Sequence, residues 1–310
     1  MSTSAVSSLS HAVSVPTTLQ VLLRGLVDYA GLFPPAGVSM PQAVENYARY
    51  RGRPEAFALG RFVAPTSRLS EFLASFNELG RPSERWRISA LLDKDPEADL
   101  AAIRAFNRRN EGRVIVDAVE AKVATDADIV KLGKLMSPEI AGYCEIPSAD
   151  PGQLLDAVQQ SGMRAKIRTG GLTPDAFPDP ALLADFLYAC ATRKLAFKAT
   201  AGLHHPLRSD RPLTYEPDAP CGTMHGFLNF FLGAALAYTG ATRERINLML
   251  SSTDAEEFKF RDLEVTWRDQ SLSLLQISQT RASFAISFGS CSFEEPISDL
   301  LDLRLLCIVN

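Results

Sequence analysis

Short runs of β-branched and apolar residues recur along the chain, each followed by a stretch with helical spacing. The strand-like runs are Arg61–Pro65, Arg87–Leu92, Val114–Val123, Gly142–Pro147, Arg164–Gly171, Leu195–His205 and Phe284–Ser290. Apolar positions at i, i+3 and i+4 predict helices over Leu69–Leu79, Ala98–Arg108, Ala127–Met136, Pro151–Gly162, Ala181–Lys194 and Met224–Tyr238. Such alternation points to parallel strands joined by crossover helices. An eighth strand is weak: Glu257–Val265 holds EFKF and LEV but is broken by Arg261-Asp262. The surrounding stretch, Thr242–Gln279, reads as two helices with a short, poor strand between them. Residues 19–50 read as a helical prefix around Pro34-Pro35, placed to plug the bottom of the fold or to cover its mouth.

Eight units over roughly 230 residues suit a closed sheet better than an open one. An open doubly wound sheet calls for a Gly-rich phosphate turn after its first strand, and Ala64-Pro65-Thr66-Ser67 stands there instead. The expected architecture is therefore α/β: a (β/α)8 TIM-type barrel with an N-terminal helical extension. It is expected to occupy residues 19–310 as a single domain, behind a disordered tail over residues 1–18.

Composition narrows the partners. The formal charge is −4 and no basic stretch offers a footprint for nucleic acid. Five cysteines, an odd number without a CxxC, argue against a disulfide framework and for a cytoplasmic location. No Lys or Arg precedes the apolar residues of the N-terminal stretch, which therefore lacks the pattern of a secretory leader. The most apolar run, Phe227–Tyr238, is too short to span a bilayer and contains Asn229. It reads as a buried helix or a helix at a subunit contact, so a homo-oligomer is compatible with the sequence and a membrane partner is not expected.

Candidate chemistry gathers at strand ends, where a charge in a barrel needs a reason because an unpaired buried charge is costly. Lys166 and Arg168 lie two apart and share a face, with Glu145 at the end of the preceding strand-like run as their obvious neighbour. Glu120 and Lys122 repeat the pattern one run earlier. One reading is an internal ion-pair ladder; the other is a grip for the carboxylate or phosphate of a small anionic metabolite, centred on Arg168. Lys198 and Thr200 share a face among the small residues Ala199, Ala201 and Gly202. A lysine in such a pocket beside other cations is expected to lose affinity for its proton and to serve as a carbonyl-directed nucleophile; its structural alternative is a pair with Glu145. His204, His205 and His225 follow on the catalytic side, as general acid/base groups or, with Glu145, as ligands. No HxH or HExxH spacing supports a metal, so no cofactor is called for and a divalent ion is the alternative. Ser290 opens a Gly-Ser turn before Glu294-Glu295, which reads as a helix cap or a substrate contact. Cys291 beside it has no base assigned in sequence. Asp28, ahead of the Pro-rich turn, reads as a cap, or as a site residue if that turn covers the barrel mouth.

The stretch Lys198-Ala199-Thr200-Ala201-Gly202 resembles the Schiff-base strand of class I aldolases, especially the deoxyribose-phosphate aldolase group. Counting the runs places Lys198 on strand six, where several class I aldolases carry that lysine. In that group a second lysine lies on the strand after the nucleophile, whereas here Lys166 lies on the strand before. The whole chain is also similar to bacterial proteins sharing DYAGLFPP, KIRTGG and FKATAGLHHP stretches, a likeness that implies no activity. The aldolase resemblance implies lyase chemistry on an oxo-acid or sugar derivative. Lys198 would be the nucleophile, Glu145, His204 and Lys166 would move protons, and Arg168, Thr200, His205 and Ser290 would bind substrate. The competing readings are a metal-dependent hydrolase or isomerase using His204, His205 or His225 with Glu145, and a non-catalytic binding barrel.

Overall fold

The structure, a computed structural model, describes residues 12–80, 85–147 and 154–309. Eight parallel strands close into a barrel: β1 (Val27–Tyr29), β2 (Leu59–Pro65), β3 (Trp86–Leu91), β4 (Val114–Lys122), β5 (Ala141–Glu145), β6 (Arg164–Arg168), β7 (Phe197–Thr200) and β8 (Ala285–Ser290). Each pairs with its sequence neighbours, and β8 closes on β1 with Phe288 beside Val27. The expected TIM-type barrel is present.

The crossover helices form where the apolar spacing placed them. The helix Leu69–Glu78 buries Leu69, Phe72 and Phe76 along one stripe. The helix Pro96–Arg109 starts at Asp95, whose carboxylate accepts from the Ala98 N–H, with proline at its first position. A reciprocal Thr125/Asp128 cap starts Asp126–Leu135. The expected helix over Pro151–Gly162 is shorter, Leu155–Gln160, and residues 151–153 lie outside the described residues. The helix Phe227–Tyr238 is buried on all sides, which accounts for its continuous apolar run. Among the described residues no helix is long and apolar enough to cross a membrane.

Two expectations are corrected. The prefix is not wholly helical: a helix over Thr17–Leu23 and another over Met40–Arg51 flank β1, the first barrel strand. Conversely, Glu257–Val265 supplies no barrel strand. Phe258–Phe260, Glu264–Trp267 and Gln270–Ser273 form a separate antiparallel sheet between the helices Arg243–Ser251 and Leu274–Ser283. The strand count therefore moves by one, placing Lys166 on the sixth strand and Lys198 on the seventh. Of the tail expected over residues 1–18, residues 1–11 lie outside the described residues; Ala12–Ser14 pairs with Cys307–Val309, and Thr17 and Thr18 begin the first helix.

The ends of the chain are tied together at the bottom of the barrel. The half-buried Arg281 donates through its guanidinium to the carbonyls of Leu22 and Arg24, at the end of the first helix, at 2.8 and 2.9 Å, and to those of Ala285 and Ile286 on β8. Burial pushes its pKa down to about 10. At the other end, a hairpin of Ser209–Pro212 and Cys221–Met224 follows β7, and Leu213 and Met224 from it reach the mouth.

Candidate active site

The lumen holds one continuous row of alternating charges. Asp28 on β1 accepts from the Lys198 amine on β7 at 2.6 Å. The other face of that amine meets Glu120 Oε1 on β4 at 2.6 Å. Glu120 Oε2 accepts from Lys166 on β6 at 2.7 Å, and Lys166 in turn bonds Glu145 Oε2 on β5 at 2.6 Å. Arg168 ends the row, 3.2 Å from Glu145 Oε1. Three carboxylates alternate with three cations, so the row is neutral.

Backbone geometry dictates this arrangement. Lys122, Glu145, Lys166 and Lys198 are successive register partners across β4 to β7. Lys166 and Lys198 thus lie side by side, and Glu120 separates their ammonium groups with one oxygen on each. Two hydroxyls complete the carboxylates: Ser89 donates to Glu120 and Ser287 to Asp28, at 2.6 and 2.7 Å. The Arg61 N–H reaches the other Asp28 oxygen at 2.7 Å. Position 60 must be glycine for Asp28 to fit, since a Cβ there would stand 2.3 Å from its carboxylate oxygen. Burial alone would raise the pKa of Glu120, but Lys166 and Lys198 hold it well below the usual carboxylate range. Glu145 is likewise lowered by Lys166 and Arg168 against its own desolvation.

Above this row opens a cavity of about 800 Å³. Its walls are largely apolar, with Phe33, Leu91, Leu172 and Leu213 among them, while Glu120, Glu145 and Lys166 contribute to its lining from the charged row. Phe33, Pro34 and Pro35 line it too, so the Pro-rich turn does cover the mouth, and Asp28 belongs to the charged row rather than to a cap.

Of the charged, hydroxyl, imidazole and thiol residues singled out from the sequence, Glu120, Lys122, Glu145, Lys166, Arg168, Thr200, His204 and Cys291 line this cavity; Asp28, Lys198, His205, His225 and Ser290 do not. Lys198 is 1% exposed and closed between two carboxylates. The expected loss of proton affinity is reversed. Burial would lower its pKa, but Asp28 and Glu120 outweigh burial and raise it, so the amine is held as an ammonium. Its partners are Asp28 and Glu120, not the Glu145 expected as its structural alternative. Ser290 is buried, and its hydroxyl accepts from the Ser292 N–H as a local turn contact.

The three histidines take separate partners. His204 Nδ1 lies 2.9 Å from Glu295, His205 Nδ1 lies 2.7 Å from Asp299, and His225 Nε2 donates to the Pro178 carbonyl at 2.8 Å. Among the described residues no group of three or more His, Cys, Asp or Glu side chains is placed to hold a metal ion. The His204, His205 and His225 cluster with Glu145, the alternative reading as a ligand set, does not assemble among the described residues. Burial pushes the Cys291 thiol up to about 11, so this cavity-lining group stays protonated near neutral pH.

Sequence reading gave Glu295 only a capping role and passed over Tyr215. Tyr215 sits in the loop after Ser209–Pro212, with no periodic signal to mark it, and its hydroxyl lies 3.9 Å from Cys291 Sγ. The site therefore presents two lysines to a partly apolar cavity: the exposed Lys122, and the buried Lys166 with a carboxylate on either side; a half-exposed guanidinium stands at the rim. That set can bind an anionic group and move protons at an amine.

No protein-family model and no curated protein matches the chain. Among solved structures it is similar to the tetrameric deoxyribose phosphate aldolase from Aeropyrum pernix, with a TM-score of 0.42 and 12% identity over 61% of this chain and 85% of that one.

Proposed function

We propose that the protein is a lyase of the aldolase type acting on a small anionic carbonyl compound, and that Lys166 rather than Lys198 is the reacting amine. One observation carries this reading: Lys166 lines the cavity, and its amine is bonded to two carboxylates, Glu120 and Glu145. The ammonium proton leaves by way of one of these carboxylates, which, held below the usual carboxylate range, passes it on rather than keeping it. The freed amine then adds to a carbonyl carbon, and loss of water leaves the iminium. Lys198 stays protonated beneath, and its charge fixes Glu120 between the two amines. Arg168 uses one oxygen of Glu145 and its side chain remains 43% exposed, which leaves it able to bind the substrate's anionic group. The corrected strand count supports the same assignment. Lys166 now occupies strand six, and Lys198 the strand after it, the order described above for the deoxyribose-phosphate aldolase group.

Borohydride trapping with pyruvate and with acetaldehyde, followed by peptide mass spectrometry, tests the proposal. An adduct on Lys166 is expected, lost in Lys166→Met. An adduct on Lys198 instead, or none with either carbonyl, would overturn it.

A further inference from the structure

A second chemical unit enters the same cavity from the segments after β7 and β8. His204 lines the cavity and is only 8% exposed. Its Nδ1 faces Glu295 in the first turn of the helix Glu294–Asp302. Glu295 is anchored there, its N–H donating to Ser292 Oγ at 3.1 Å. Burial would raise the Glu295 carboxyl, but the hydrogen bond to His204 works against burial and the carboxyl is lowered. A carboxylate only accepts, so the proton on His204 must sit on Nδ1, leaving the Nε2 lone pair without a partner among the described hydrogen bonds. Tyr215, from the loop over the mouth, interacts electrostatically with Glu295, while its hydroxyl lies 3.9 Å from Cys291 Sγ. None of these groups has a part in forming the iminium at Lys166.

We infer that His204 is the catalytic base that removes the α-proton of the iminium, and that Glu295 is its positioning residue. This rests on the lysine reading above. His204 Nε2 takes the proton from the carbon next to the iminium carbon. The C–H electron pair becomes the C=C bond of the enamine, and the former iminium π pair returns to the lysine nitrogen, which becomes neutral. The imidazolium that results carries its new charge beside the Glu295 carboxylate. Protonation of the enamine carbon by the same Nε2–H reverses the step.

The experiment follows loss of the pyruvate methyl protons by 1H NMR in D2O, alongside borohydride trapping on the same samples. Wild-type protein is expected to trap pyruvate on Lys166 and to exchange the methyl protons. His204→Gln should still trap, with exchange slowed by about a hundredfold. Glu295→Gln should trap normally with an intermediate loss, and Glu295→Asp should recover part of it. Added imidazole should restore exchange in His204→Ala but not in Lys166→Met. Undiminished exchange in His204→Gln with trapping intact overturns this inference alone. Absence of any wild-type adduct overturns the lysine reading and this inference with it. Long-range 1H–15N spectra give an independent check: an Nε2-protonated His204 in the wild-type protein would also overturn it.

Discussion

Replacing Lys198 with methionine tests whether the charged row holds the barrel together. The substitution keeps an unbranched apolar stem, one atom shorter, and removes an ammonium bonded to both Asp28 and Glu120 at 2.6 Å. Glu120 keeps Lys166 and Ser89, and Asp28 keeps Ser287 and the Arg61 N–H. Both carboxylates nevertheless lose their shared cation in a site nearly sealed from water. Breaking a buried pair by removing one partner costs about 3–5 kcal/mol. At an unfolding entropy of about 2.1 cal/mol/K per residue, a chain of 310 residues loses roughly 1.5 °C of Tm per kcal/mol. Lys198→Met should therefore melt about 5–8 °C below the wild type by calorimetry at neutral pH. The double variant Asp28→Asn/Lys198→Met removes one of the stranded charges and should regain roughly 1–2 kcal/mol. A Lys198→Met variant that melts at or above the wild-type temperature would refute the reasoning, since it would mean the ladder is a burden carried for chemistry alone.

His225 provides a pH test. Burial first, then the nearby Arg208, push its pKa down to about 4 from an ordinary 6.5, with the Pro178 carbonyl and Asp179 opposing. The folded state thus refuses a proton that the unfolded chain accepts. Its contribution is complete above pH 6.5 and is lost as pH falls towards 4, roughly 3 kcal/mol in all. Melting curves should fall less steeply over that window in His225→Phe than in the wild type, and equal slopes would count against the assignment. The cysteines offer a chemical test: with iodoacetamide at about pH 8, the exposed Cys221 and Cys307 should react. Cys291, buried and pushed up to about 11, should stay unmodified, and its rapid alkylation would contradict the described environment.

The periodic parts of the fold were legible in the sequence, and the misreadings have identifiable causes. β1 is only three residues long and follows a helix whose apolar spacing runs on into it, so LQVLLRGLVDYAGLF read as one element. The break is visible in hindsight at Gly25, which adopts φ 57° and turns its N–H to the Phe57 carbonyl. The Arg261-Asp262 interruption has in sequence the look of a flaw in one strand, but it turns an antiparallel hairpin in which Phe258 pairs with Trp267. Local spacing cannot distinguish a poor parallel strand from a good antiparallel one. The convergence of Glu145, Lys166 and Arg168 could be anticipated because alternation puts charges two apart on one face. Which lysine faces the cavity could not. Lys166 and Lys198 are register neighbours that share Glu120; they differ in the second carboxylate, Glu145 for one and Asp28 for the other, and Asp28 comes from a strand far away in sequence.

The seam between β1 and β8 makes the deepest rung of the site depend on both extremities of the polypeptide. Asp28 comes from the first barrel strand and the Ser287 hydroxyl that supports it from the last, 259 positions later. Until the last strand docks, the sheet has two raw edges and that carboxylate lacks one of its donors. A copy cut short between Lys198 and Ala285 would therefore possess every lysine and glutamate of the row and still have no sealed floor beneath them.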